Sequence, residues 1–121
     1  MKIDGNQMHS WAKELFPICR SITGPGVRQT LSYIKNIIPE LKIYEIKTGT
    51  KVFDWTIPDE WTIRDAFVLD DSGNKIIDFN SSNLHVLNYS EPVDKILSLD
   101  ELDTHLYSLP EQPSAIPYIT S

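Results

Sequence analysis

Apolar residues near the start of the chain recur at helical spacing. Met8, Trp11, Ala12, Leu15, Phe16 and Cys19 stand at i, i+3, i+4, i+7, i+8 and i+11, one face of a helix. The pattern predicts a helix from about Asn6 to Phe16. Pro17 ends it, because proline lacks the N–H that would bond back to Lys13 and restricts the residue before it. A second helix opens with Thr23 or Gly24 as cap and Pro25 at its first position. Val27, Leu31, Ile34, Ile38 and Leu41 line one side of it, and Pro39 stops it. The stretch "LKIYEIKT" then alternates and predicts a strand.

After Gly49 the period shortens to two. Phe53, Trp55 and Ile57 alternate with Val52, Asp54 and Thr56, and Pro58 closes the run. Trp61, Ile63, Phe67 and Leu69 share one expected strand face, with Asp65 as its odd polar member. "DDSGNK" predicts a hairpin turn with positive φ at Gly73, and Lys75 to Phe79 the returning strand. "LHVLNY" predicts a further strand. Ser98 and Glu101 form a capping box ahead of Leu99, Leu102, Leu106 and Leu109, a short helix stopped by Pro110. Ile116 to Ile119 predicts a strand continuing past Ser121.

Composition narrows the function. At 121 residues the chain suits one small domain or a piece of a larger one. Seventeen acidic residues against eleven basic ones give −6, and only three arginines occur. That argues against nucleic acid, whose backbone requires clustered Lys and Arg. No run is long enough to span a membrane. The single cysteine and the absence of an N-terminal apolar run predict a cytoplasmic protein.

Candidate chemistry is sparse. His9, His85 and His105 lie on three separate predicted elements without metal-ligand spacing, so the expected metal ligands in this chain are none. Cys19 falls on an apolar stripe, where a thiol behaves as a small hydrophobe. "RSITGPG" could receive an anion at a helix N-terminus, with Arg20 and Arg28 assisting, but cap and proline already account for it. Phe53, Trp55 and Trp61 crowd the thirteen residues "GTKVFDWTIPDEW". Burying a Trp removes about 150–250 Å² from water, roughly 4–6 kcal/mol before entropy. The physical expectation is therefore anchors of a small β-unit ahead of a ligand platform.

The segments "FPICRSITGPGVRQTL", "TGTKVFDWTIPDEWTIRDAFVLDDSGNKIIDF", "LHVLNYSEPVD", "LSLDELDTHLYSLP" and "AIPYITS", in that order, carry a resemblance over nearly the whole chain. It resembles the N-terminal part of a bacterial aminopeptidase-like family associated with polysaccharide biosynthesis and related to co-catalytic zinc aminopeptidases. The resemblance implies an α/β fold, α+β over this stretch, beginning a three-layer domain with an inserted β-rich lid. On that pattern residues 1–48 supply helices and the first strand of the catalytic domain. Residues 49–109 form the lid-like unit, and 110–121 return to the catalytic domain. Two zinc ions would activate water and polarise the scissile carbonyl in the longer protein, with catalytic residues and metal ligands beyond Ser121.

The expected partners are the remainder of the polypeptide and a peptide or amino-sugar-type substrate. Asp54, Trp55, Glu60 and Trp61 are then the substrate-cleft candidates. The competing readings are a non-catalytic sugar- or peptide-binding module built on the Trp-rich β-unit, and a purely structural or dimerisation segment.

Overall fold

The computed structural model describes residues 4–119, which divide after Asp65 into two compact units. Mixed helices and small antiparallel sheets give an α+β composition.

In the first unit, helix α1 spans Gly5–Leu15 and α2 spans Pro25–Ile37. Asp4 caps α1, its Oδ1 accepting from the Gln7 N–H at 2.9 Å. Two side-chain ties bind α1 and its exit turn to α2. Tyr33 donates to Glu14 Oε2 at 2.8 Å, and Arg20 Nη1 reaches both the Leu15 carbonyl at 2.8 Å and Thr30 Oγ1 at 3.3 Å. A tight hairpin follows, strand β1 (Lys51–Val52) against β2 (Trp55–Thr56), with Val52 opposite Trp55. Backbone bonds from Gly49 to Ile57 and from Ile57 to Thr50, both 2.9 Å, extend its ladder.

The second unit begins with β3 (Phe67–Leu69) paired antiparallel to β4 (Lys75–Asp78), bulged between Val68 and Leu69. Asp70 builds the turn between them. Its Oδ1 accepts from the N–H groups of Ser72 and Asn74 at 2.9 and 2.8 Å, and Gly73 takes φ +82° as expected. Lys75 Nζ lies 4.5 Å from the Phe67 ring centroid and 3.3 Å from Asp78 Oδ2. Helix α3 spans Leu99–Asp103 behind the complete Ser98–Glu101 capping box.

Several expected elements are absent. "LKIYEIKT" forms no strand, and Ile43, Tyr44 and Ile46 are exposed. A strand exists only with a partner to complete its hydrogen bonds, and no described segment pairs with this one. The shared strand face from Trp61 shrinks to Phe67–Leu69. "LHVLNY" instead folds into a short 3-10 turn at Asn83–His85, capped by Ser82 Oγ and held by His85 Nδ1 at 2.9 Å from the Asp78 carbonyl. Helix α3 stops at Asp103, five residues after its cap, as Thr104 Oγ1 takes the Glu101 carbonyl and i→i+3 bonds tighten the chain. Residues 116–119 form no strand, and the end of that expected run lies outside the described residues.

Apolar burial is shallow throughout. Among the described residues no hydrophobic side chain is fully buried, and the chain exposes 10,418 Å². A folded monomer of 13.9 kDa should expose about 6,700 Å². Two independent bodies of about half that mass would expose about 8,000 Å² together.

Candidate functional site

Around the start of α2 the backbone is packed too closely for side chains. Gly24, the N-cap, sits at φ +141° and ψ −174°, a region open essentially to glycine, and is buried. A Cβ there would stand 2.9 Å from the Trp61 carbonyl oxygen. A Cβ on Gly26 would overlap the Cys19 carbonyl outright. Two carbonyl oxygens therefore lie close to the positive end of α2, where an anion would otherwise be favoured. Arg20 and Arg28, expected to assist an anion, are engaged inside the chain instead.

Glu60 and Trp61 are drawn into this same corner. Arg28 clasps Glu60 in a two-pronged pair, its Nη2 3.0 Å from Oε2 and its Nη1 on Oε1. Ser21 Oγ shares its one proton between the Trp61 carbonyl, at 3.1 Å, and the Thr23 carbonyl. These bonds span 32 and 40 residues of sequence, so "RSITGPGVR" and "EW" form one stitched corner.

The Arg28 hydrogen bond holds the Glu60 carboxyl below its ordinary range, with partial desolvation opposing it. A depressed carboxylate pKa stabilises the fold above the ordinary value, and that contribution fades as pH falls through the lowered one. Arg28→Met should therefore return the Glu60 titration midpoint to the ordinary glutamate range. Carboxylate NMR of the full-length protein measures this, and added salt should weaken the shift in the unsubstituted protein.

The other two cleft candidates stand apart from that corner in structural role. Asp54 is the second residue of the two-residue hairpin loop and is exposed, and Trp55 opens β2 with 47% of its surface exposed. Phe53, expected to point into a core by strand alternation, occupies the hairpin apex and is fully exposed. The reason is local. Ladder bonds on both sides of residues 53–54 close a two-residue loop, which takes Phe53 out of any strand. The hairpin rings therefore do not anchor this chain, whereas Trp61 is half-buried.

Phe53 also sits at φ +56°, where an ordinary side chain costs about 1–2 kcal/mol. A positive φ at the first loop position normally selects glycine. Nothing in the alternating pattern marks this apex, since Phe–Asp is not a customary turn pair.

Among the described residues no three of His, Cys, Asp and Glu gather where they could hold a metal ion. The zinc chemistry of the resemblance thus has no donor set in them, and no chemical step is assigned to these residues. Cys19 is half-buried, and burial pushes its thiol up despite the opposing charge of Arg20, away from the reactive thiolate. His9, Ala12, Lys13 and Phe16 line a shallow open depression on α1 and the turn after it. No described helix is long and apolar enough to cross a membrane.

Comparison with known proteins supplies the context these residues lack. Residues 60–121 match the family described as Domain of unknown function (DUF2172). A Clostridium acetobutylicum protein designated a polysaccharide biosynthesis protein with an aminopeptidase-like domain is 54% identical over 117 residues, covering 97% of this chain and 27% of its own length. A crystal structure from the same organism, designated a peptidase, matches with TM-score 0.85 at 54% identity, covering 89% of this chain and 25% of that one. The chain therefore spans about a quarter of the length of these relatives. With more than half of its residues matched, the chain belongs to the DUF2172 family, and its resemblance to the aminopeptidase-like proteins of polysaccharide biosynthesis holds.

Proposed function

We propose that this chain is the scaffold and lid segment of a zinc-dependent, aminopeptidase-like hydrolase that cleaves peptide or amide bonds. The observation that carries the reading is 54% identity, sustained over 97% of the chain, to a protein with an aminopeptidase-like domain. On this reading residues 1–48 belong to the catalytic domain, 49–109 form the lid, and 110–121 return to the catalytic domain. The zinc ligands and the catalytic residues come from the remainder of the polypeptide, and the protein works in the cytoplasm. The substrate is a peptide or an amino-sugar-type molecule.

The lid role draws support from the hairpin, which presents Phe53, Asp54 and Trp55 outward on a two-residue turn. Glu60 and Trp61 serve it differently. The Arg28 clasp and the Ser21 bond fix the lid's base to the start of α2, leaving Asp54 and Trp55 as the pair free to meet a substrate.

The test is made on the full-length protein. Bound zinc is quantified, and release of N-terminal residues from short peptides is followed before and after chelation. Activity lost with the metal and restored by zinc is the expected result. A folded protein with neither zinc nor activity would overturn the hydrolase reading. The exposed hairpin rings would then favour a binding module, visible as a tryptophan fluorescence response to oligosaccharides.

A further inference from the structure

The hairpin apex carries a residue that its own chain does not explain. Phe53 sits at φ +56°, a conformation in which a bulky side chain is an outlier, and its ring is fully exposed. Neither turn chemistry nor packing within the two units favours phenylalanine there. Glycine would fit the backbone better, and a polar residue would suit the exposure. Strain retained at an exposed ring points to a contact outside these residues. We infer that Phe53 is an anchor, its ring seated in an apolar pocket formed by the part of the polypeptide that lies outside these 121 residues.

Two observations select that occupant. The matched relatives are about four times as long as this chain, and one of them reproduces its fold at TM-score 0.85. Roughly three quarters of such a polypeptide is therefore available to cover it. Spread is the second argument. Exposed apolar residues recur in both units, among them Phe16, Tyr44 and Phe53 in the first and Val93, Ile96 and Tyr118 in the second. The longer polypeptide of the relatives can supply cover for apolar residues so widely spread in the sequence.

The inference rests on the chain belonging to a longer polypeptide and not on any peptidase activity. Its test is the thermal unfolding midpoint of the full-length protein carrying Phe53→Gly, Phe53→Leu or Phe53→Tyr. Glycine removes the backbone strain, so for a ring with no partner Phe53→Gly must raise the midpoint or leave it unchanged. For a seated ring the sign reverses. The midpoint falls by several degrees with Phe53→Gly, and Phe53→Leu and Phe53→Tyr restore much of it.

Should Phe53→Gly fail to fold, folding of the Leu and Tyr variants supports the anchor, and failure of those two as well overturns it. An unchanged or raised midpoint with Phe53→Gly overturns the inference. So does an unchanged midpoint with a raised KM for peptides, which would give the ring to a substrate. Loss of a dimer at constant midpoint would give it to a second copy, and equally overturns the inference.

Discussion

Gly26→Ala is expected to be among the most damaging single-methyl additions in the chain, destabilising the full-length protein by about 3 kcal/mol or more. The added Cβ would overlap the Cys19 carbonyl oxygen and stand 2.9 Å from the carbonyl carbon. Both obstacles are backbone, so no rotamer change relieves them. Cys19 cannot retreat freely, because the adjoining Arg20 is tied to Leu15 and Thr30. Gly24→Ala should be similarly harmful for a different reason, combining a glycine-only backbone conformation with a 2.9 Å approach to the Trp61 carbonyl.

Gly5→Ala is the control. It lies in the first turn of α1 with nothing within 4 Å of the new methyl, and it should be neutral or stabilising by up to about 1 kcal/mol. Denaturant unfolding of the three variants checks the ranking. Equal midpoints for Gly26→Ala and Gly5→Ala would mean that the α1–α2 turn is not packed as described.

The second large effect concerns the 121 residues expressed alone. With no fully buried hydrophobic side chain among the described residues, burial offers little to offset the entropy of ordering the chain. Helices of 11 and 13 residues are marginal in water without a packed face. The isolated chain should therefore bind a hydrophobic dye strongly, show weak near-ultraviolet circular dichroism and melt without a sharp transition. The full-length protein should reverse all three. A sharp, concentration-independent melt of the isolated chain, without dye binding, would show that its apolar surface needs no cover.

Both expectations bear on what could be read in advance. The helices were legible because their signals are local: an apolar face at period 3.6, Gly24 and Pro25 at the start of α2, and Ser98 with Glu101 closing a box within one turn. The Asp70–Asn74 turn was legible for the same reason, its bonds closing within four residues. The missing strands were not. Alternation in "LKIYEIKT" and in residues 116–119 reports which faces an extended segment would present, and leaves open whether a neighbour exists to pair with it. Phe53 was placed wrongly by the same reasoning, since alternation continues smoothly across a residue that the ladder bonds put at a turn.

Of the four cleft candidates, sequence could name the cluster but not divide it. The Arg28–Glu60 clasp and the Ser21 bond to Trp61 bridge 32 and 40 residues, and no local pattern encodes such contacts. By itself the sequence determined the helices, the caps of α2 and α3, the acidic turn and the family resemblance, because each depends on residues close in the chain or on their identity alone. Only the tertiary structure decided that Glu60 and Trp61 form a fixed base while Phe53, Asp54 and Trp55 face outward. That choice depends on which distant backbone groups come within hydrogen-bonding reach, a property of the folded chain in space.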